Sequence, residues 1–306
     1  MARELITIPE TSPFDYRSAL NAHGWVDLLP NTHNPSIPSF SRVQEVPSGK
    51  VVRITVSADG KGQDQQIKIF VDAPGRLSSG DREYLSSAVS RMLRLNEDFS
   101  EFYTLCGSVG GMWKNFTGGI GRLLRSPTVF EDLVKVICTT NVQWGGTRRM
   151  VRDLVNAFGL PFDGDPDQRS FPSPSAIVQY PLDDFRQKVR LGYREGYIYR
   201  LACQFADGEL NSSDFQNSET PTEELRKKLL SVKGIGAYAA ASMLMLLGRY
   251  DYIPVDTVFR QFMCEKYFID KPFSLQDALM IYDDWGRWKY LAYWFDMLNF
   301  ESPIEP

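Results

Sequence analysis

The stretch that decides the fold runs from Leu225 to Arg260 and reads LRKKLLSVKGIGAYAAASMLMLLGRYDYIPVDTVFR. Leucines at 225, 229 and 230 end one amphipathic helix, and a helix rich in Ala and Met runs from Ala237 to Leu247. Gly234 and Gly236 lie between them, and glycine adopts turn conformations that other residues avoid. The pattern therefore predicts two helices joined by a tight hairpin within residues 222–248.

The Gly234-Ile235-Gly236 turn has the chemistry of an anion site. We expect Ile235 to anchor the turn in the interior, while backbone N–H groups at the start of the second helix point toward a phosphate. Such a contact reads no base sequence and needs little net positive charge. A turn that serves only packing explains the same residues equally well, so a further feature has to decide.

That feature is Asp256, which lies twenty residues after Gly236 in the segment Ile253-Pro254-Val255-Asp256-Thr257. Apolar residues at helical spacing follow it, so Asp256 is predicted to be a helix N-cap. The chain runs up one helix and turns within 249–260, which can bring the carboxylate back near the hairpin. The capping role and a chemical role are compatible.

Residues 229–240 (LLSVKGIGAYAA) together with 253–257 (IPVDT) resemble the hallmark of the helix-hairpin-helix DNA glycosylases. The resemblance spans about residues 120 to 260. It implies a mostly α fold with an N-terminal antiparallel β lobe (α+β), and duplex DNA with a base lesion as the partner. It also implies that Asp256 is the catalytic residue and that the hairpin and its neighbours contact DNA: Lys233, Gly234, Ile235, Gly236 and Thr257.

The chemistry that the resemblance implies suits a carboxylate. Breaking an N-glycosidic bond builds positive charge on the sugar, and ionised Asp256 would stabilise that charge or orient a water molecule. Lyase members of the superfamily carry a lysine two residues after the second hairpin glycine, where this chain has Tyr238. A phenol forms no imine, so we expect base excision without strand cleavage and take Tyr238 as a pocket wall, with a core position as the alternative.

Two further segments, Thr139-Thr140-Asn141 and Leu191-Gly192-Tyr193-Arg194, are similar to the DNA-facing loops of the 8-oxoguanine glycosylases. By that resemblance Asn141 and Arg194 contact the orphaned base, and Tyr193 presses on the base stack. An Asx turn at Asn141 and a solvated helix start at Tyr193-Arg194 remain open alternatives. Gly146 stands where those enzymes carry an arginine, and this departure puts discrimination of the opposite cytosine in doubt.

The substrate ranking follows from these matches and departures. An alkylated purine such as 3-methyladenine comes first and 8-oxoguanine second, while the absence of cluster-binding cysteines disfavours the iron–sulfur branches. Two other functions stay open: a helix-hairpin-helix module that binds DNA without catalysis, and a lyase that uses Lys233 or another lysine.

The rest of the chain predicts an N-terminal β-rich lobe (1–95) and an α-helical body (96–306). Alternating residues in 51–57 and 66–72 predict a β-hairpin around Asp59-Gly60, and apolar spacing after Ser79, taken as an N-cap, predicts a helix. Thr128 to Glu131 reads as a capping box, and Gly159 as a helix stop. In the aromatic run 285–295 we expect Trp285 or Trp288 to help form the base pocket.

Composition limits the chemistry further. The net charge of −4 argues mildly against nucleic acid, although residues 111–260 hold a small excess of Lys and Arg. Only two histidines and four scattered cysteines occur, so a side-chain metal site and a Ser/His/Asp triad are not expected. We expect no cofactor, with a cation on the hairpin carbonyls left open, and an intracellular, non-secreted monomer without a membrane partner.

Overall fold

A computed structural model of the chain describes residues 1–10, 12–60 and 65–301. The chain divides into two compact units. The first comprises residues 1–97 and 118–214, and the second comprises residues 98–117 and those from 215 onward. The predicted lobe 1–95 lies within the first unit, which also contains part of the predicted helical body.

The first unit holds a five-stranded antiparallel sheet in the order β1-β5-β4-β3-β2. Its strands are β1 (Ala2–Glu10), β2 (Asn31–His33), β3 (Ser39–Glu45), β4 (Val51–Asp59) and β5 (Gln65–Ala73). The hairpin predicted from residues 51–57 and 66–72 is confirmed as β4 and β5. Its turn starts at Asp59-Gly60 as predicted, but the connection through 61–64 lies outside the described residues.

Alternation explains why β4 and β5 pair in this register. Ile54 lies opposite Val71 and Val56 opposite Ile69, and all four side chains are buried on one face. A shift of one residue would turn these apolar side chains toward solvent, so burial specifies the register.

The helices of the first unit lie between and after the strands of the sheet in the chain. They are α1 (Tyr16–Asn21), α2 (Ser79–Leu93), α4 (Val129–Thr139), α5 (Trp144–Phe158), α6 (Pro174–Val178), α7 (Leu182–Lys188) and α8 (Glu195–Ala206), with a small β6 (Pro161–Phe162) and β7 (Asp165–Arg169) ribbon between α5 and α6. The α2 N-cap is Ser78 and not the predicted Ser79, because the Ser78 hydroxyl accepts from the Asp81 N–H while Asp81 accepts from the Ser78 N–H.

The predicted capping box at Thr128 is only half formed. The Thr128 hydroxyl accepts from the Glu131 N–H at 3.2 Å, but the Glu131 carboxylate turns inward and binds Arg42 at 2.9 Å and Lys135 at 2.7 Å. These three charged side chains are almost fully buried. A buried charge needs ionic partners, and this need outweighs the small gain from completing the cap.

Helix α5 stops at Gly159 as predicted, but the glycine is required for a different reason than a left-handed C′ position. Its φ of −71° is ordinary for any residue. A Cβ at Gly159 would collide with the carbonyl oxygens of Ser170 and Val155. Close backbone packing between α5 and the β7 end therefore excludes larger residues.

The second unit is helical. Its helices are α3 (Ser100–Val109), α10 (Thr222–Ser231), α11 (Ala237–Leu246), α12 (Thr257–Lys266), α13 (Leu275–Met280) and α14 (Lys289–Glu301), and the short α9 (Ser213–Gln216) begins in the first unit and ends in the second. The mostly α class with an N-terminal antiparallel sheet is confirmed.

The cysteines are free thiols. Cys106 and Cys138 are buried, and burial raises the pKa of both thiols to about 12. Cys264 is exposed on α12, and Cys203 is half-buried.

Candidate functional site

The hairpin between α10 and α11 has the predicted form. The Ile235 N–H donates to the Val232 carbonyl at 3.1 Å, and Gly234 adopts a φ of +94°, which closes the turn. Ile235 is buried as the anchor, whereas Lys233 and Gly236 are exposed. The turn therefore presents its polar backbone to solvent.

The start of α11 lies directly behind this turn. Gly236 is its N-cap and accepts the first helical hydrogen bond from Ala240 at 2.8 Å. The first N–H groups of a helix have no partner inside it, and they carry the positive end of the helix dipole. Because Gly236 and Ala237 are exposed, a phosphate oxygen can reach these N–H groups.

Asp256 is the N-cap of α12, as the sequence predicted. Its Oδ1 accepts from the Phe259 N–H at 2.8 Å. The side chain is half-buried, and among the described residues no second hydrogen bond holds its carboxylate. One oxygen is thus fixed and the other is available to a ligand or a water molecule. Thr257, next to it, is exposed.

A buried tyrosine that sequence reasoning did not single out lies beside this carboxylate. The Tyr293 ring packs edge-on against Phe259 at a centroid distance of 5.2 Å, and its hydroxyl donates to the Met297 Sδ at 3.5 Å. Burial raises the pKa of Tyr293, and the nearby Asp256 and Tyr238 raise it further. Asp256, Tyr238 and Tyr293 therefore form one neighbourhood.

The sequence around Tyr293 indicates an aromatic cluster but does not identify Tyr293 as a site residue. Its place in the aromatic run 285–295 was visible, but that run contains too many aromatic residues for periodicity to separate core positions from site positions. Tyr238 is half-buried, consistent with a cleft wall.

Trp285 and Trp288 belong to a buried aromatic cluster in the second unit. They expose 9% and 3% of their surface, and their neighbours within about 6 Å are Phe99, Phe102, Trp113 and Tyr250. Trp288 stacks on Tyr250 at 5.4 Å. Packing against the core accounts for both indoles, and contact with an extruded base stays a prediction.

The predicted DNA-facing loops meet in the first unit. Asn141 has a φ of +48° and is exposed, and its Nδ2 donates to the Tyr193 hydroxyl at 3.3 Å. Thr140 Oγ1 lies 3.2 Å from the same hydroxyl. Burial alone would raise the pKa of Tyr193, but these hydrogen bonds and the charge of Arg194 lower it. Tyr193 itself is 55% exposed, as a wedge requires.

Arg194 is held by backbone partners within the first unit. It is buried, and its guanidinium donates to the backbone carbonyl of Thr140 and to the Leu191 carbonyl. Contact of Arg194 with an orphaned base stays a prediction. Here Arg194 holds the loop that carries Asn141.

Neither a metal site nor a membrane span is found in the part of the chain that the structure describes. Within it, no group of three or more His, Cys, Asp or Glu side chains is placed to hold a metal ion. None of its helices is long and apolar enough to cross a bilayer.

Solved structures reveal which fold this arrangement belongs to. The chain superposes on the 3-methyladenine DNA glycosylase of Archaeoglobus fulgidus with a TM-score of 0.72 at 18% identity, covering 98% of this chain and all of the other. It superposes on the Clostridium acetobutylicum 8-oxoguanine glycosylase/lyase, solved with duplex DNA, with a TM-score of 0.65 at 17% identity, covering 98% and 99%. The chain has the helix-hairpin-helix DNA glycosylase fold.

Sequence comparison agrees over a shorter span. The Bacillus subtilis protein YfjP, provisionally named a DNA-3-methyladenine glycosylase, is 25% identical over 169 residues, which are 54% of this chain and 56% of that protein. The match thus spans little more than half the length of this curated relative. No family model matches the sequence.

One departure within the glycosylase fold has a packing reason. At Gly146, where the 8-oxoguanine glycosylases are expected to carry an arginine, a Cβ would collide with the Val142 side chain. Val142 itself is exposed and lies two residues before α5. A larger residue at 146 would require the Val142 side chain to move.

Proposed function

We propose that this protein is a DNA glycosylase that excises a damaged purine from duplex DNA and leaves the strand intact. The observation that carries the proposal is the Asp256 carboxylate, which is half-buried, fixed through one oxygen and open at the other. It follows a Gly-Ile-Gly hairpin in which Ile235 is buried and Gly236 is exposed, an arrangement suited to a phosphate. The fold shared with known DNA glycosylases supports this combination.

The proposed reaction is hydrolysis at the sugar C1′. The bond between C1′ and the base nitrogen breaks, and its electron pair leaves with the base. A water oxygen forms the new bond to C1′, and the proton that the water loses passes to the base or to solvent. The open oxygen of Asp256 stabilises the developing positive charge or accepts a hydrogen bond from the water.

The absence of strand cleavage rests on Tyr238. It occupies the position at which lyase members of the superfamily carry a lysine, and a phenol cannot form an imine with the sugar. The nearest lysine in the hairpin, Lys233, is exposed on the turn. A lyase would therefore need an amine from elsewhere in the chain.

Alkylated purines are the first substrate class and 8-oxoguanine the second. Half-buried Tyr238, which like Asp256 lies near Tyr293, supplies an aromatic face for an electron-poor base. The bond between such a base and the sugar breaks more easily. Gly146 offers no cation for an opposite cytosine, which lowers the rank of 8-oxoguanine.

Base release from a panel of labelled duplexes tests the function. The duplexes carry an alkylated purine, 8-oxoguanine, hypoxanthine or uracil, and strand breaks are scored before and after alkali. The proposal is supported if the wild type gives strand breaks only after alkali and if Asp256→Asn gives none. Tight binding of lesion duplexes without release from any of them would instead indicate a binding module.

A further inference from the structure

A basic cleft lies in the first unit, apart from the hairpin and Asp256. It has a volume of about 610 Å³ and lies between the first turns of α5 and the segment 26–33. Three arginines of α5 line one wall: Arg148, Arg149 and Arg152. The opposite wall includes Asn31, Thr32 and His33.

The arginines of this cleft differ from most others in the unit. Arg42, Arg53 and Arg82 each bind a carboxylate within 3 Å. Arg148 and Arg149, by contrast, are exposed and make no ion pair with any described residue, and Arg152 reaches only its neighbour Asp153 at 3.9 Å. Their charge is therefore available to a ligand.

The acidic side chain of the cleft does not neutralise this charge. Asp27 lies on the opposite wall, and its carboxylate is 3.4 Å from the His33 Nδ1. The other ring nitrogen of His33, Nε2, is buried and has no hydrogen-bond partner among the described residues. Asn31 and Thr32 complete a polar wall.

Packing at the start of α5 fixes this geometry. The Trp144 indole lies against Gly24, which has a φ of +75° and leaves no room for a Cβ beneath the ring. Trp144 thereby sets the first turn of α5 against the segment that carries Asp27 and His33. Arg148 and Arg152 are one helical turn apart, roughly 6 Å along the axis, so they form a row.

The cleft also adjoins the loop predicted to face DNA. Asn141 precedes the first residue of α5 by only three positions, and Arg148 follows one turn later. An arginine guanidinium binds a phosphate through paired hydrogen bonds, and unpaired arginines near a DNA-facing loop suit a phosphodiester. The positive end of the α5 dipole adds to the attraction.

We propose that Arg148, Arg149 and Arg152 bind backbone phosphates of duplex DNA beside the Asn141 loop, as a second phosphate site besides the hairpin; this site rests on the proposed function. Arg148 and Arg149 supply the charge that the acidic composition otherwise lacks. The contact is independent of base sequence and strengthens binding of damaged and undamaged duplexes alike.

The experiment is a salt titration of binding. Fluorescence anisotropy measures the affinity of the full chain for a duplex with an uncleavable abasic-site analogue and for the undamaged duplex, from 50 to 200 mM KCl. The variants are Arg148→Ala/Arg149→Ala and the control Arg17→Ala/Arg76→Ala, which removes the same charge from exposed arginines of the same unit. Thermal melting checks that each variant is folded.

Each phosphate contact contributes about 0.9 to the slope of log affinity against log salt, so loss of two contacts reduces the slope by about 1.8. Over this fourfold salt range the wild type then loses about tenfold more affinity than Arg148→Ala/Arg149→Ala. The control keeps the wild-type slope. Equal slopes in the two double variants overturn the cleft site.

Base release by the wild type, measured in parallel, separates the two proposals. If the wild type releases a base and only the slope result is negative, the cleft site fails and the glycosylase function stands. If the wild type neither binds duplex nor releases a base, both proposals fail.

Discussion

The backbone N–H of Phe259 donates to Asp256 Oδ1 at 2.8 Å, so one hydrogen bond both begins α12 and orients the proposed catalytic carboxylate. The helix dipole favours negative charge at this end of α12. In the proposed reaction, capping and chemistry therefore use different oxygens of one side chain.

Asp256→Asn should separate these two roles. Asparagine caps helices as well as aspartate does, so the melting temperature should stay close to that of the wild type. Base release should fall at least about a hundredfold, because the amide cannot stabilise positive charge as a carboxylate does. Single-turnover kinetics on the best substrate measure this loss.

Asp251→Asn is the matched control for that variant. Asp251 is also half-buried and lies five residues earlier, where it accepts from the Thr222 hydroxyl at 3.1 Å. Its base release should match that of the wild type. Unchanged release in Asp256→Asn would remove Asp256 from the reaction.

Borohydride trapping on abasic-site DNA examines the role of Tyr238. The wild type should give no covalent complex, because the phenol forms no imine. Tyr238→Lys serves as the positive control, since it introduces an amine into the neighbourhood of Asp256, and it should give a trapped band. A band with the wild type that is lost in Lys233→Ala would establish a lyase instead.

The hairpin glycines should respond differently to a methyl group. Gly234 has a φ of +94°, so Gly234→Ala should lower the free energy of unfolding by about 1–2 kcal/mol. Gly236 has a φ of −93° and no atom within 4 Å of an added Cβ, so Gly236→Ala should change stability by less than about 0.5 kcal/mol.

Both glycine variants should nevertheless weaken duplex binding, because the added methyl group obstructs a phosphate at the exposed turn. Chemical denaturation and anisotropy on the same samples separate the two effects. Wild-type affinity in Gly236→Ala would argue that the hairpin only packs.

The buried Glu131 should make stability depend on pH. Burial alone would raise its pKa, but Arg42 and Lys135 hold the pKa well below its usual value of 4.5. A carboxylate with a lowered folded-state pKa adds stability that is present above the unfolded pKa and is lost as the pH falls through the folded pKa. The wild type should thus lose this contribution progressively below about pH 4.5.

Glu131→Gln leaves Arg42 and Lys135 buried without their carboxylate, so it should cost about 3–5 kcal/mol at pH 7. The cost should shrink at pH 3, where the wild type begins to lose the same interaction. Urea denaturation at both pH values provides the measurement, with Glu45→Gln, half-buried on β3, as the control. An equal effect of both substitutions would show that the ionic network adds no stability.

The features that sequence predicted well are those that depend on neighbouring residues. The turn at Gly234, the cap at Asp256 and the alternation in β4 and β5 each follow from steric or hydrogen-bonding rules acting within a few residues. The sequence predicts the N-cap of α2 at Ser79, whereas the structure has it at Ser78. The two serines are adjacent and satisfy the same local rule.

Several features that the sequence did not predict involve contacts between distant positions. Glu131 leaves its predicted cap for Arg42, 89 residues away, and Arg194 turns to Thr140, 54 residues away. Periodicity could not tell Tyr293, beside Asp256, from the aromatic residues that fill the core. Each outcome depends on which side chains folding brings together.

The sequence by itself determined the hairpin, the aspartate that caps the following helix, and the fold class, because local backbone preferences and apolar spacing are properties of short segments. Only the tertiary structure decided that Asp256 and Tyr238 both lie near Tyr293, that Arg194 is buried, and that α5 lines a basic cleft. Those arrangements arise from packing and from pairing of buried charges, which depend on residues far apart in the chain.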